Sequence, residues 1–245
     1  MTDRIVLVTG ASQGIGLATA RAFAAAGWRV VMAARNLEAM REGSADFEAE
    51  PVPADVSDPD QVAHLFAEIE TRHGRLDAVF NNAGVGSPPA DPGETSFETW
   101  RRVLSVNLDG AFLVASAAFR MMKAQTPQGG RIINNGSISA HVPRPGSIPY
   151  STSKHAITGL TTTLALDGRP FRIAASQIDI GNAATPMTER MAGGVPQADG
   201  SVRPEPTMDV NLVGQSVVHM AELPLEANIL TQTIMATNMP YVGRG

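Results

Sequence analysis

Cysteine is absent from the 245-residue chain. Disulfide bonds, thiolate-bound metal sites, iron–sulfur clusters and cysteine nucleophiles are therefore excluded. Basic residues are not in surplus: the chain has 19 Lys and Arg and 24 Asp and Glu, so its formal net charge is −5. Nucleic-acid binders and polybasic membrane anchors carry a basic excess, so we expect neither nucleic acid nor a membrane as a partner.

Long apolar runs are missing too. The first apolar run covers only residues 5–8, which is too short for the core of a signal peptide. No stretch approaches the roughly 20 apolar residues that a membrane-spanning helix needs. Because 43% hydrophobic and 18% charged residues are ordinary for a globular protein, we expect a soluble chain located in the cytoplasm.

Metal and hydrolase motifs give no positive signal either. The five histidines, at positions 64, 73, 141, 155 and 219, show no spacing typical of a metal site, so no bound metal is expected. The segment around Ser137, which reads G-S-I-S-A, lacks the second glycine of a G-x-S-x-G elbow. Ser137 is therefore not expected to be a hydrolase nucleophile.

Short apolar runs alternate with helical stretches along the chain. The predicted strands cover residues 5–8, 29–33, a short run around Val52, 76–80, 131–134, 173–180 and 228–235. The predicted helices cover residues 17–26, 58–73, 97–123, 150–166 and 209–221. This alternation predicts parallel strands with right-handed crossovers, and the apolar strands suit a sheet covered on both faces. The predicted fold is a three-layer α/β, doubly wound sheet.

No segment has the composition of an interdomain linker. The proline-rich segments 87–92, 142–149 and 196–206 fall between predicted elements, so we interpret them as loops of a single domain that covers residues 1–245. The stretch 181–208 is long for a loop inside a compact domain. Loops of this length are commonly lids or binding loops, and we expect this one to contact the substrate.

A glycine-rich turn, T-G-A-S-Q-G-I-G at residues 9–16, separates the first strand from the first helix. Gly10 permits a tight turn, Gly14 lets the backbone approach a pyrophosphate, and Gly16 lets the helix pack closely on the sheet. The positive end of the helix then faces the phosphates. The spacing is neither G-x-G-x-x-G nor a P-loop, and a turn without a ligand is the alternative. Its position directly after the first strand favours a cofactor turn.

Tyr150 and Lys154 are four residues apart in a predicted helix, so their side chains share one face. A free tyrosine has a pKa near 10, and a neighbouring ammonium stabilises its phenolate and lowers that pKa. The pair therefore suits proton transfer, although Y-x-x-x-K alone is also the pattern of a surface pair. Ser137, at the end of a predicted strand thirteen positions upstream, favours the catalytic interpretation.

Together, these segments resemble the short-chain dehydrogenase/reductase family, most closely its branch of 3-oxoacyl-[acyl-carrier-protein] reductases, over residues 4–167. The resemblance implies a Rossmann-type sheet of seven strands in the order 3-2-1-4-5-6-7. It also implies a nicotinamide-dependent oxidoreductase that interconverts a carbonyl and a secondary alcohol of a small-molecule substrate.

The resemblance implies four catalytic residues. Tyr150 is the general acid or base, and Ser137 orients the substrate carbonyl, with Ser139 as the alternative. Lys154 binds the nicotinamide ribose, and Asn107 holds a water that resupplies the proton. The implied cofactor-binding residues are Gly10, Ser12, Gln13, Gly14, Ile15, Gly16, Arg35, Asp55, Val56, Asn82, Ala83, Gly84, Tyr150, Lys154, Gly181 and Thr185.

The end of the second strand bears on the choice of cofactor. Family members that use NAD carry an aspartate at the position of Ala34, and here Arg35 follows. A guanidinium can bind a 2′-phosphate with two parallel hydrogen bonds, and Ser12 can add a hydroxyl. We therefore predict NADP(H) rather than NAD(H), while a solvated charge is the alternative for Arg35. For Asp55, the alternative to an adenine contact is a turn or cap residue.

Two segments depart from the family pattern. Ile180-Gly181 stands where Pro-Gly is usual, although Thr185 still matches the residue that binds the carboxamide. Residues 235–245 lack the usual terminal pattern, and a homodimer or homotetramer is an expectation from the resemblance alone. A second functional hypothesis is a nucleotide-binding regulator or scaffold with the same fold and little turnover. An enoyl reductase is disfavoured, because that group spaces Tyr and Lys farther apart.

Overall fold

The computed structural model describes residues 4–189 and 193–242. Seven parallel strands form one sheet in the order β3-β2-β1-β4-β5-β6-β9. They are β1 (Ile5–Thr9), β2 (Arg29–Ala34), β3 (Glu50–Pro53), β4 (Ala78–Asn81), β5 (Gly130–Asn135), β6 (Ile173–Gly181) and β9 (Thr231–Met235). A separate antiparallel pair joins β7 (Val195–Pro196) to β8 (Val202–Arg203). The predicted doubly wound sheet and its strand order are confirmed, with β9 as its seventh strand.

Helices cover both faces of the sheet. They are α1 (Gly14–Ala25), α2 (Leu37–Gly43), α3 (Pro59–His73), α4 (Phe97–Leu104), α5 (Ala111–Ala124), α6 (Ile148–Asp167) and α7 (Asn211–Glu222). Buried residues of α3 and α5 form one apolar core with the sheet, and buried residues of α1, α2 and α7 form a second core on the other face. Four of the five predicted helices are present as single helices, the one predicted over residues 97–123 is divided, and α2 was not predicted.

Helix α3 shows how local sequence sets the element boundaries. The Asp58 carboxylate accepts hydrogen bonds from the backbone N–H groups of Asp60 and Gln61, and Pro59 occupies the first helical position. Gly74 ends the helix in the left-handed conformation at φ 67°. The boundaries predicted from these residues are confirmed.

The long helical stretch predicted over residues 97–123 is interrupted. A π-helical segment, Ser105–Gly110, separates α4 from α5. Such segments are rare and frequently lie at functional sites, and this one carries Asn107. By length and composition alone, Phe97–Ala124 could cross a membrane, but this is weak evidence because a core helix of a soluble protein meets the same criteria.

Candidate active site

The predicted site residues converge at the carboxyl edge of the sheet, where parallel strands all end on the same side. A cavity of about 340 Å³ opens there between the glycine-rich turn, the segments after β4, β5 and β6, and the start of α6. The predicted residues that line it are Gly10, Gln13, Gly14, Ile15, Gly16, Asn82, Gly84, Ser137, Ser139, Tyr150, Lys154 and Thr185. Residues far apart in the sequence therefore share one cavity.

The glycine-rich turn has the geometry that its sequence predicted. Gly10 and Gly14 adopt positive φ values of 64° and 56°. A Cβ on Gly16 would lie 2.2 Å from the Gly10 carbonyl oxygen, so this position excludes any side chain. Gln13, the N-cap of α1, makes no side-chain capping hydrogen bond, so it leaves the first amides of the helix uncapped, as an anion-binding helix N-terminus requires.

Thr9 joins the ends of β1 and β4, a role that the sequence analysis missed. Its hydroxyl accepts hydrogen bonds from the backbone N–H groups of Asn82 (2.9 Å) and Ala83 (3.0 Å). The Asn82 amide nitrogen donates to the Thr9 carbonyl at 2.8 Å, and the Asn135 amide donates to Asn82 Oδ1 at 2.8 Å. The segment that begins at Asn82 is thereby fixed against the glycine-rich turn.

Asn107 is buried and is held by protein groups on two sides. Its Nδ2 donates to the Val85 carbonyl at 3.0 Å and to Ser153 Oγ at 3.2 Å, and its Oδ1 accepts from the Val85 N–H at 2.8 Å. The side chain thus links the π-helical segment to the loop after β4 and to α6. The predicted role in holding a water remains a prediction.

Ser137 lies next to Tyr150, as predicted. Its side chain interacts with the Tyr150 hydroxyl and lowers the pKa of that group. Its Oγ also accepts from the Ser139 backbone N–H at 3.1 Å, which caps the short 3₁₀ turn Ile138–Ala140. Ser139 lines the same cavity, but the serine that lowers the pKa of the tyrosine is Ser137.

The environment of the Tyr150 hydroxyl differs from expectation. Burial, the largest effect, raises the pKa of Tyr150, the Ser137 side chain and the Arg144 charge lower it, and the Asp179 charge raises it. Lys154, which was expected to lower this pKa, is hydrogen-bonded to another group. Its Nζ donates to the Asn135 carbonyl at 2.6 Å and lies 5.6 Å from the Tyr150 ring centroid. Burial lowers the pKa of Lys154 itself to about 8.

Asp55 has the turn geometry that was its alternative interpretation. Its Oδ1 accepts from the Ser57 backbone N–H at 2.9 Å and from the Ser57 hydroxyl at 2.6 Å. Arg35 is exposed directly after β2. The Ala11 N–H donates to the Ala33 carbonyl at 3.2 Å, so the end of β2 adjoins the glycine-rich turn. Asp55, the buried Val56 and Arg35 therefore lie at neighbouring strand ends, outside the cavity lining.

Ile180, at the position where the family pattern has proline, is a paired residue of β6. Ile180 pairs with Ile234, and Gly181 pairs with Met235 and accepts a hydrogen bond from the Ala236 N–H at 3.2 Å. A proline has no N–H to give to a strand ladder. Beyond the strand, Thr185 lies against the glycine-rich turn, because a Cβ on Gly14 would be 3.4 Å from its side chain.

An ion pair that the sequence analysis missed closes the side of the cavity. Arg144 bonds to Glu205 and, at 2.8 Å, to Asn182 Oδ1. Asn182 Nδ2 donates to the same Glu205 oxygen at 2.9 Å. The Glu205 side chain is fully buried, so the pair anchors the loop after β6 onto the loop before α6. Isolated charges in two distant proline-rich loops gave no sequence signal for this contact.

Comparisons with known proteins agree with this geometry. A family model described as short chain dehydrogenase matches residues 4–194. A 3beta-hydroxysteroid dehydrogenase from Mediterraneibacter gnavus is 36% identical over 200 residues, which are 79% of this chain and 71% of that protein. A gluconate 5-dehydrogenase from Gluconobacter oxydans is 38% identical over 191 residues, which are 76% and 73% of the two chains.

Solved structures show the same fold. A 3-ketoacyl-(acyl-carrier-protein) reductase from Brucella melitensis, complexed with NADH, superposes with a TM-score of 0.84 over 96% of this chain and 98% of that one, at 22% identity. At that identity the likeness concerns the fold alone. The family match and the curated relatives carry the assignment further: the chain belongs to the short-chain dehydrogenase/reductase family, whose members named here are oxidoreductases.

Proposed function

We propose that this chain is an NADP(H)-dependent oxidoreductase that interconverts a carbonyl and a secondary alcohol of a small molecule. The observation that carries the proposal is that Ser137, Tyr150 and Lys154 line the same cavity as the glycine-rich turn. Lys154 stands one helical turn beyond the tyrosine. We further propose that residues 1–245 form one domain in which residues 181–208 are the substrate loop.

The turn suits a nicotinamide dinucleotide. Neighbouring atoms leave no room for a side chain on Gly10 or Gly16. The start of α1 would direct backbone N–H groups toward a pyrophosphate. Gln13, Gly14 and Ile15 would line the phosphates, while Asn82, Ala83 and Gly84 would line the ribose on the nicotinamide side. Gly181 and Thr185 would adjoin the nicotinamide. When bound, the cofactor supplies or accepts the hydride.

The protein residues handle the proton. For reduction, the Tyr150 hydroxyl donates its proton to the oxygen of the carbonyl, and the Ser137 hydroxyl bonds to the same oxygen. Burial keeps Tyr150 protonated at neutral pH, which suits a donor. Lys154 carries its positive charge below about pH 8 and would bind the ribose hydroxyls. Asn107, beside α6, would hold the water that returns the proton.

The proposed preference for NADP(H) rests on charge at the end of β2. Arg35 is exposed, and Ala34 stands where a carboxylate would repel a 2′-phosphate. Ser12 lies in the adjoining turn, and Asp55 and Val56 would contact the adenine edge from the end of β3.

We also propose that the chain is a cytoplasmic homodimer or homotetramer. Phe112 on α5 is 55% exposed, and with Leu108, Leu113 and Leu160 it lines an apolar depression between α5 and α6. A large exposed apolar side chain at such a place favours association with a second copy. The hypothesis of a regulator without turnover has no support from the named relatives, which are dehydrogenases and reductases.

The proposal is tested by NADPH oxidation across a panel of ketones that includes a steroid ketone, a keto-sugar acid and a 3-oxoacyl thioester. We expect turnover of at least one ketone. The Tyr150→Phe variant should lose about 10²- to 10⁴-fold in kcat while it still binds NADPH. Ser137→Ala should lose more activity than Ser139→Ala, which is its matched control. Tight NADPH binding without turnover of any ketone, or wild-type activity in Tyr150→Phe, would refute the proposal.

A further inference from the structure

Asp179 is a buried carboxylate that the proposed proton transfer does not use. It lies on β6, and its side chain is fully buried. Its Oδ1 accepts hydrogen bonds from the Ser137 backbone N–H (2.9 Å) and from Gln177 Nε2 (2.7 Å), and its Oδ2 lies 2.8 Å from His141 Nε2. A carboxylate oxygen accepts hydrogen bonds, so the Ser137 N–H and the Gln177 amide both meet Oδ1 as donors.

The residue before Ser137 is a glycine, which leaves room for the Asp179 carboxylate. A Cβ on Gly136 would lie 2.1 Å from Asp179 Oδ1, closer than any side chain tolerates. Glycine at position 136 therefore lets Asp179 reach the N–H of the next residue. The contact fixes the Ser137 backbone.

Asp179 is connected to Tyr150 through Ser137. It accepts a hydrogen bond from the Ser137 N–H, and the Ser137 side chain interacts with the Tyr150 hydroxyl. The charged groups around Tyr150 are Lys154 on its own helix, Asp179 from β6, and Arg144 from the loop before α6. His141, 43% exposed in that same loop, meets Asp179 from the solvent side.

We propose that Asp179 is a positioning residue. It holds the Ser137 backbone, and its negative charge acts on Tyr150 and Lys154. His141 lies against it on the solvent side. The role presupposes the proposed function of this site. A negative charge here disfavours the Tyr150 phenolate and favours the Lys154 ammonium, and it raises the pKa of both groups. Asp179 thus keeps the tyrosine a proton donor and the lysine a cation over a wider pH range.

The first test titrates Tyr150 in the protein without cofactor, by the ultraviolet absorbance of its phenolate. The chain has two tyrosines, so a Tyr241→Phe background leaves Tyr150 as the only one. Asp179→Asn, which keeps the shape and removes the charge, should lower the midpoint by roughly one pH unit. Asp167→Asn is the matched control, because it removes the same charge at the exposed far end of α6, about 25 Å from Tyr150 along the helix.

The second test is the pH profile of kcat/KM for ketone reduction. Its basic limb should move to lower pH in Asp179→Asn and stay in place in Asp167→Asn. If Asp179→Asn does not fold, His141→Arg at the exposed position puts a fixed cation against the carboxylate and should also lower the Tyr150 midpoint. Equal midpoints in Asp179→Asn and Asp167→Asn, or an unchanged midpoint in His141→Arg when the first variant does not fold, would overturn the inference.

The two proposals fail in different ways. If the wild type turns over no ketone, the proposed function fails, but the titration of Tyr150 still reports on Asp179. If the wild type is active and Tyr150→Phe is not, an unmoved midpoint in Asp179→Asn removes the inference alone.

Discussion

Lys154 Nζ donates a 2.6 Å hydrogen bond to the backbone carbonyl of Asn135, the last residue of β5. This bond holds the ammonium at the carboxyl end of β5, where burial lowers the pKa of the lysine to about 8. The Asn135 side chain also donates to Asn82 Oδ1, so one residue connects the lysine to the segment after β4. The end of β5 and the segment after β4 therefore fix the position of Lys154.

The lowered pKa of Lys154 predicts a pH limit for activity. The ammonium is present below about pH 8 and is lost as the pH rises through that value, so kcat/KM for reduction should fall there. Lys154→Met should lose activity at every pH. It should also unfold at an equal or higher temperature than wild type, because it removes a buried charge. Lys123→Met, on α5, is the control and should keep both the activity and its pH limit. A basic limb that survives unchanged in a partly active Lys154→Met would contradict the assignment.

Gly16→Ala is expected to damage the cofactor turn. The new Cβ would lie 2.2 Å from the Gly10 carbonyl oxygen, so the turn or the start of α1 must shift. We expect a loss of about 1–3 kcal/mol in the free energy of unfolding and at least a tenfold weaker binding of NADPH. Urea unfolding and fluorescence titration with NADPH measure the two effects.

Gly159→Ala is the matched control for Gly16→Ala. Gly159 lies in the middle of α6, and no neighbouring atom would come within 4 Å of an added Cβ. The same substitution should therefore stabilise the protein by up to about 1 kcal/mol and leave NADPH binding unchanged. Equal effects of the two variants would show that the turn tolerates a side chain.

Much of the fold could be predicted because its signals are local. Apolar runs, the capping Asp58 and the terminating Gly74 lie within the elements that they define. Helix α2 has only seven residues, too few for a clear period, and the helical period does not distinguish the π-helical segment from a continuous helix. The π-helical segment carries Asn107, whose hydrogen bonds to Val85 and Ser153 join residues that are remote in the sequence.

The site residues could be predicted from the sequence only where they form contiguous motifs. The glycine-rich turn and the Tyr150–Lys154 pair are contiguous patterns with known spacing. Asp179, His141 and Arg144 are single residues in strands and loops, and their significance comes from contacts across 38 or more positions of sequence. Burial likewise decides the pKa of Tyr150, and the sequence pattern carries no information about that burial.

Arg35 is expected to decide between the two nicotinamide cofactors. Arg35→Ala should raise KM for NADPH about tenfold or more and leave KM for NADH unchanged, because it removes a guanidinium from the 2′-phosphate. Ala34→Asp should reverse the preference by repelling that phosphate. Arg29→Ala, about 20 Å away at the other end of β2, controls for the loss of one positive charge. Comparable kcat/KM for both cofactors in the wild type would refute the proposed preference.

The buried Arg144–Glu205 pair is expected to stabilise the fold and the substrate loop together. Glu205→Gln leaves the Arg144 guanidinium, 17% exposed, without its carboxylate, so the free energy of unfolding should fall by about 3–5 kcal/mol. The substrate KM should rise, because the loop after β6 loses its anchor at the cavity wall.

A double variant and an exposed ion pair make this prediction specific. Arg144→Met with Glu205→Leu removes both charges and should recover most of the lost stability, since apolar residues replace a buried ion pair well. Glu226→Gln breaks the exposed pair with Arg172, whose side chains are 64% and 73% exposed, and should cost less than about 1 kcal/mol. Urea unfolding of all three variants provides the comparison. If Glu205→Gln cost no more than Glu226→Gln, the pair would not be the anchor of the loop, and the rise in substrate KM would need another cause.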